Sequence, residues 1–556
     1  MSIAFVGLVV FRLFFLQIVS YERYKALAEN QHQLEKELTA ERGEIFIRDH
    51  FSTSPYSVVR NVNRPTIYVA PQQVKDLPEL SKIFAKNLGL DQKEILSKIA
   101  DQSKKYVMMA KEVPEAAAEE LQKLNLPGVF FEDQIHQEYP EKQLGSQVLG
   151  FVAYDGNLRV GRYGIQHFFE KELAGIPGRL KGVADSVRSW ISSGDSDVVL
   201  AKNGADLILT IDRAIQFKAE EVLDRAVASH GAKSGSVIVM NPKTGAVLAM
   251  ANFPTFDPNN FNKVEDTALF NNPAIQTPYE PGSVMKAVTF AAALDAGAIA
   301  PDTTYDDPGS VTLENFTVRN AEGKNYGQGV TMTSVLDNSI NTGAIFAQQK
   351  IGLEKFRKYV ENFGFGKSTG ISLPFESKGN ISNLYKGGEL YPATASYGQG
   401  ITATPLQLVT AYAAIANGGK LYQPYIVEET VREGKSQKTE SRQVSEVISQ
   451  NTASTLSAML VSVVQNGHGK RAGVPGYFIA GKTGTAQIPY ADRAGYDPDR
   501  NIGTFIGFGP VDNPAFVMLV KIDEPQDVKF AESTAAPAFG EIAQFILNYY
   551  QVPKNQ

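Results

Sequence analysis

The 556-residue chain carries 54 Lys and Arg against 60 Asp and Glu, a formal charge of −6, with 43% apolar and 21% charged residues. That is globular composition, and no Lys/Arg run marks the basic face of a nucleic-acid binder. With no cysteine and only 6 scattered histidines, disulfide frameworks, thiolate metal sites and cysteine nucleophiles are excluded, so a covalent catalyst here must use Ser, Thr, Lys, Tyr or a carboxylate.

Residues 3–19 are almost wholly apolar, with Arg12 their one charge. A helix crossing a bilayer needs about 20 apolar residues, and residues 1–11 are too few. No small-residue cleavage site follows, so a removable signal peptide fits poorly. The segment reads as a membrane anchor over residues 1–20 whose first part is missing; a terminal core helix is the plainer alternative. Residues 21–38 hold good helix formers without Gly or Pro and predict a polar helix. Arg42-Gly43-Glu44-Ile45 breaks it and opens an extended segment. Residues 71–125 have helical spacing, and turn signals follow at Tyr139-Pro140, Asp155-Gly156 and Ile176-Pro177-Gly178. The polar, Gly/Ser-rich residues 192–205 mark a domain boundary.

Beyond it the chain is more regular. Residues 207–211 predict a strand and residues 214–229 a helix. Residues 236–241 and 246–251 flank Pro242-Lys243-Thr244-Gly245 as a hairpin. Strand-like runs return at residues 477–486, 502–510 and 515–522, the last two joined by Val511-Asp512-Asn513-Pro514. Mostly helical sequence lies between the two strand groups, and residues 531–551 read as a closing helix. Both ends of this region would therefore complete one sheet, an α+β class.

Ser283-Val284-Met285-Lys286 is the single S-x-x-K of the chain. Pro281-Gly282 before an apolar run predicts a helix start there, which would set Ser283 and Lys286 side by side. Serine needs an adjacent base to act as a nucleophile, and Lys286 can serve only if burial or a neighbouring cation lowers its pKa. A serine and a lysine on an exposed helix give the same spacing, so partners must decide. Ser339-Ile340-Asn341 follows inside an apolar, helical stretch, whereas a second S-x-N, Ser449-Gln450-Asn451, looks like a helix cap. Lys482-Thr483-Gly484-Thr485 ends an apolar run as an edge strand, offering an ammonium, hydroxyls and close backbone approach to an anionic carboxylate. The other K-T-G, Lys243-Thr244-Gly245, is read as a structural turn.

S-x-x-K, S-x-N and K-T-G in this order resemble the active-site set of penicillin-binding proteins and serine β-lactamases. Glu280-Pro281-Gly282-Ser283, residues 482–487 (KTGTAQ), residues 241–251 (NPKTGAVLAMA), Phe256-Asp257-Pro258-Asn259 and residues 397–405 (YGQGITATP) are similar to class B penicillin-binding proteins. Arg42-Gly43, Gly164-Ile165-Gln166 and Leu173-Ala174-Gly175 resemble their non-catalytic pedestal. The resemblance covers nearly the whole chain. It implies an anchor helix at 1–20, an elongated mixed α/β pedestal (dimerisation-like) at 21–205, and a transpeptidase domain at 206–556 with an antiparallel five-stranded sheet flanked by helices.

The same resemblance implies a peptidoglycan D,D-transpeptidase that works through an acyl-serine intermediate in division or elongation and binds β-lactams covalently. Ser283 would attack the carbonyl between two D-alanines, Lys286 would take its proton, and Ser339 would relay a proton to the leaving amine. Asn341 would hold the donor amide, Lys482 would sustain a positive field, and Thr485 and Thr483, beside Gly484, would bind the terminal carboxylate. Backbone N–H groups of Ser283 and Thr485 would form the oxyanion hole. No metal or organic cofactor is implied. Expected partners are stem peptides, β-lactams, a membrane glycosyltransferase and other divisome or elongasome proteins, with the catalytic domain outside a single-pass anchor in the cell membrane. Two departures stand out. Asp49-His50-Phe51-Ser52 replaces the pedestal's Asp-Arg-Asn-Gly turn, and Gly467-His468-Gly469 replaces Gly-Thr-Gly, with His468 read as a loop residue. A β-lactamase or D,D-carboxypeptidase, and a non-catalytic scaffold or β-lactam sensor, are the competing readings.

Overall fold

The computed structural model describes residues 2–19, 33–156, 158–184, 190–191, 197–490, 492–493 and 495–555. The chain divides into two compact units, residues 1–43 with 171–206, and residues 44–170 with 207–556.

The first unit begins with a helix, Ser2–Phe14, continued by a π-helical turn, Phe15–Val19. Thirteen residues reach about 20 Å at 1.5 Å per residue, short of the roughly 30 Å apolar core of a bilayer. Among the described residues, no helix is long and apolar enough to cross a membrane. The helix predicted for residues 21–38 is corrected at its end: Gln33–Leu38 is a strand, paired antiparallel with Gly178–Ala184. Its Leu, Glu and Lys residues favour helix locally, and sheet pairing overrides that preference. The rest of that prediction, residues 21–32, lies outside the described residues.

In the second unit, Thr66–Val69 is the central strand of a small sheet between Val107–Ala110 and Val129–Glu132. The helices Leu77–Leu88, Gln92–Ile99 and Glu115–Lys123 bury Phe84, Ile95 and Leu121 against Ile67 and Val69. A second, six-stranded sheet mixes the two halves of the chain. Ile45–Arg48 pairs with Tyr56–Asn63 on one side and, in parallel, with Asp206–Asp212 on the other, and the hairpin of Val427–Arg432 and Lys435–Lys438 extends it. The Asn259 side chain clamps both backbone groups of Tyr139, at 2.9 Å each, and Arg213 bonds Glu141 through two nitrogens. The F-D-P-N segment therefore docks this part of the pedestal on the catalytic fold.

The catalytic fold follows in chain order. Helix α1 (Arg213–Ser229) is capped by Asp212 and leads into the hairpin β1 (Ser234–Met240) and β2 (Val247–Phe253). Then come α2 (Met285–Asp295), α3 (Met332–Asp337), α4 (Asn341–Ile351), α5 (Pro405–Ala416) and α6 (Gln450–Gln465). The chain closes with β3 (Ala480–Pro489), β4 (Tyr496–Gly509), β5 (Phe516–Asp523) and α7 (Ala535–Tyr549). The sheet is antiparallel in the order β2-β1-β5-β4-β3, so strands from both ends complete it, as the sequence pattern predicts. Alternate apolar residues of the strands, Phe505, Phe516 and Val237 among them, meet Leu223 of α1 and Phe539 and Ile542 of α7 in the main core. Among the described residues, the edge position of β3 leaves one side of that strand without a strand neighbour, and Lys482-Thr483-Gly484 lies on this strand.

Candidate active site

Three segments far apart in sequence converge at the start of α2. Gly282–Val284 forms a 3-10 turn that runs into α2 and carries Ser283 on its partly exposed side. The turn is braced from behind. The Gly282 N–H donates to the Gly398 carbonyl (3.1 Å), and Tyr279 pairs through its backbone with Ala403. The Glu280 carboxylate accepts from the Gly400 N–H and the Tyr496 hydroxyl, each at 3.0 Å. The Tyr412 hydroxyl donates to the Val284 carbonyl at 2.7 Å. Gly398 has φ +85°, and a Cβ there would lie 2.2 Å from the Gly282 oxygen. The Y-G-Q-G segment is thus a cradle for the serine turn.

Lys286 lies one helical turn beyond Ser283 and is fully buried. Its nitrogen lies within hydrogen-bond distance of Ser283 Oγ (3.1 Å), Ser339 Oγ (3.2 Å), Asn341 Oδ1 (2.8 Å) and the Ser339 carbonyl. Burial, and then the Lys482 charge, push its pKa well below that of an ordinary lysine. A neutral amine has two N–H donors and one lone pair. The Ser339 carbonyl and Asn341 Oδ1 can only accept, so in the neutral form they take both donors and leave the lone pair to the hydroxyls of Ser283 and Ser339.

The sequence expectation that Ser339 lies within a helix is corrected. Helix α3 ends at Asp337, α4 starts at Asn341, and Ser339 sits in the break with φ +53°. Such a conformation costs about 1–3 kcal/mol for a non-glycine residue. It sets Ser339 Oγ between the two lysines, with Lys482 Nζ donating to it at 3.0 Å. Lys482 is also fully buried; burial lowers its pKa to about 7, while the Asp337 carboxylate pulls it upward. Gly484 lets β3 approach the serine turn, since a Cβ there would lie 2.9 Å from Val284 Cγ1 and 3.0 Å from the Pro281 oxygen. Thr483 Oγ1 accepts from Lys482 Nζ at 3.4 Å, and Thr485 Oγ1 accepts from the Ala531 N–H at 3.1 Å. Each hydroxyl keeps its own proton to donate.

Ser283, Lys286, Ser339, Asn341 and Lys482 are therefore one hydrogen-bonded cluster, with Thr483, Gly484 and Thr485 on the strand beside it. Lys243-Thr244-Gly245 instead closes the β1–β2 hairpin, with Gly245 at φ +84°, and Ser449 caps α6 by accepting from the Thr452 N–H. His468 is a half-exposed loop residue whose Nδ1 lies 2.9 Å from Glu532. Among the described residues, no group of His, Asp and Glu side chains could hold a metal ion.

A seryl hydroxyl facing a depressed lysine, beside a second buried cation and an edge strand, suits acyl transfer to serine from a substrate that ends in a carboxylate. Residues 235–544 match the penicillin binding protein transpeptidase domain, and residues 37–209 match the penicillin-binding protein dimerisation domain. The chain belongs to the penicillin-binding protein family. Stage V sporulation protein D of Bacillus subtilis is 33% identical over 96% of this chain and 83% of its own length. Penicillin-binding protein PbpB of Mycobacterium tuberculosis is 32% identical over 98% of this chain and 83% of its own. Among solved structures, penicillin binding protein 3 from M. tuberculosis, complexed with aztreonam, superposes with a TM-score of 0.72 at 28% identity, covering 94% of this chain and 98% of that one.

The motif set did not reveal how this penicillin-binding protein supports its site. Asp337, whose charge reaches Lys482, and the buried Asp307, Asn320 and Thr342 behind Asn341 stand in no motif. Their positions in the sequence carry no local signal, because they act only through contacts made by folding.

Proposed function

We infer that the protein is a peptidoglycan D,D-transpeptidase of the serine type. The observation that carries this reading is the cluster in which Lys286, buried and with its pKa pushed well down, sets its Nζ 3.1 Å from the Ser283 hydroxyl. Ser283 Oγ attacks the carbonyl carbon of the penultimate D-alanine while its proton passes to Lys286 Nζ. The oxyanion is held by the backbone N–H groups of Ser283 and Thr485. As the C–N bond breaks, Ser339 Oγ gives its proton to the leaving D-alanine amine and regains one from Lys286, 3.2 Å away. Asn341 holds the donor amide, and Lys482 with Thr483 and Thr485 binds the terminal carboxylate. An amine of a neighbouring stem then attacks the acyl-serine and loses its proton to the same base; the cross-link forms as the bond between Ser283 Oγ and the acyl carbon breaks and Lys286 returns that proton to the serine. A β-lactam enters as a substrate mimic and stops at the acyl stage.

We further place the protein at the outer face of the cell membrane on a single anchor, working in division or elongation beside a lipid II glycosyltransferase. The apolar, solvent-exposed Val6, Val10, Phe11 and Phe14 of the first helix support the anchor, and Arg12 in its last turn suits a membrane interface.

Labelled penicillin tests the chemistry. Intact mass is expected to show one long-lived acyl adduct, and peptide mapping to place it on the segment containing Ser283. No adduct would sink the acyl-serine mechanism; rapid release to free hydrolysed drug would make the protein a β-lactamase.

The two lysines predict a bell-shaped pH profile for the second-order rate of acylation, which reports the free enzyme. It rises as Lys286, repelled by the Lys482 charge, gives up its proton first. It falls as Lys482 loses its own near about 7, and the two limbs belong to the coupled pair. Replacing Asp337 by Asn removes the carboxylate that raises the Lys482 pKa, so the falling limb should move to lower pH. A limb unmoved in that variant would detach Asp337 from Lys482.

A further inference from the structure

The Asn341 side chain has a direction as well as a place. With Oδ1 toward Lys286 it takes one of the amine's two N–H donors; turned over, it would present its own N–H groups to Lys286 and compete with the serine for the lone pair. The observed orientation is fixed from the other end of the amide, where Asn341 Nδ2 donates to the Arg319 carbonyl at 2.9 Å. Arg319 ends the hairpin strand Phe316–Arg319, so the next residue of that hairpin matters.

That residue is Asn320, 4% exposed. Helix α4 has Ile340 at its N-cap, which supplies no capping hydrogen bond. Asn320 Oδ1 supplies it from another segment, accepting from the backbone N–H groups of Asn341 and Thr342, both at 3.1 Å. At its other end Asn320 Nδ2 donates to both oxygens of Asp307, at 3.1 and 3.0 Å. The Asp307 carboxylate, 4% exposed, also accepts from the Gly309 N–H (3.0 Å), the Tyr326 N–H (2.7 Å) and the Thr342 hydroxyl (2.6 Å). Burial works against its charge, but these hydrogen bonds outweigh burial and hold its pKa below that of a free aspartate. A buried, fully bonded carboxylate is a rigid support.

We propose that Asn320, anchored on Asp307, is a positioning residue for acyl transfer: it caps the helix of the S-x-N segment in trans and sets which end of the Asn341 amide faces Lys286. This rests on the acyl-serine reading above and adds to it the group that aims the lysine lone pair. Neither Asn320 nor Asp307 touches the reacting atoms.

The test is the full chain with Asn320→Ala and the conservative Asn320→Asp, each assayed at pH 6 with a chromogenic β-lactam for its non-covalent dissociation constant and its acylation rate. Asn320→Ala should slow acylation by about 10- to 100-fold, the scale of a small misplacement at a reaction centre, and leave the dissociation constant within about threefold. Asn320→Asp keeps the capping oxygen and shares one proton with Asp307, and should recover most of the lost rate. In protein labelled with 15N-lysine, the Lys286 Nζ resonance should shift in Asn320→Ala and return toward the parent position in Asn320→Asp, whether or not the chain acylates. Wild-type acylation in Asn320→Ala, a loss that Asp does not recover, or an unmoved Lys286 resonance would overturn the proposal. A parent chain that forms no adduct would instead overturn the functional reading, and the resonance would still decide the positioning role. Should Asn320→Ala fail to fold, Thr342→Val removes one donor to Asp307 and the hydroxyl contact to Asn320 Oδ1 while keeping both capping N–H groups, and the same shift, smaller in size, is required of it.

Discussion

Ser283→Ala is expected to carry no penicillin adduct at any time or concentration, while remaining as folded as the parent. The side chain lost is small and partly exposed, and among the described residues its hydroxyl makes one hydrogen bond, with Lys286 Nζ at 3.1 Å. Removing such a contact costs about 1 kcal/mol or less, and the turn it occupies is held by Gly398, Tyr412 and the Tyr279–Ala403 pair, none of which depends on the hydroxyl. The chemical loss is of another order, because no second nucleophile can replace it. Ser339 Oγ is bracketed by two lysine nitrogens, at 3.2 and 3.0 Å, and lies in a backbone break at φ +53°. Intact mass after long incubation with labelled penicillin, together with a thermal melt, checks both halves. An adduct of parental yield on the variant would remove Ser283 from the mechanism; a collapse of the melt would make its role structural.

Lys286→Met should slow acylation by about 10²–10⁴-fold, the range for loss of a positioned general base. Methionine keeps most of the apolar stem that Lys286 buries, so the helix should survive. The Ser339 carbonyl and Asn341 Oδ1 lose a donor, at about 1–3 kcal/mol for a buried acceptor left unmatched. The hydroxyl of Ser283 then has no base, and Lys482, held by Ser339 and Thr483, cannot reach it without leaving its own partners. Stopped-flow acylation with a chromogenic β-lactam should put the loss in the covalent step, with non-covalent binding changed far less. Because the two residues act as one unit, Ser283→Ala combined with Lys286→Met should be no worse than Ser283→Ala alone. A variant that acylates within about tenfold of the parent would transfer the base to another group.

Much of the architecture could be read from the residues because it is local. Apolar runs flanking Pro242–Gly245 give the β1–β2 hairpin, and the three late runs give β3, β4 and β5. The two K-T-G copies could be told apart by their neighbours, Pro242 in a tight turn against the apolar run before Lys482. Two local readings failed where longer-range forces prevailed. Gln33–Leu38 has helix-forming residues and becomes a strand because Gly178–Ala184 satisfies its backbone. Ser339 lies in an apolar run that looks helical, and the chain breaks there into φ +53° because the contacts of Lys286 and Lys482 hold it. The Asp307–Asn320 support had no local signature at all, since an Asp and an Asn in a hairpin are ordinary turn residues until tertiary folding buries them.

The division between sequence and structure follows the range of the forces. The sequence alone determined the chemical inventory: no thiol, one serine three residues ahead of a lysine, and segments able to supply a second hydroxyl, an amide and a second ammonium. Those facts are covalent or depend on one turn of helix. Only the tertiary structure decided that the Lys286 pKa falls well below that of an ordinary lysine, that the Lys482 charge lowers it further, and that Asn341 presents oxygen rather than nitrogen. Each of these depends on burial, which strips water from a charge, or on distances of about 3 Å between segments far apart along the chain, and neither exists until the chain has folded.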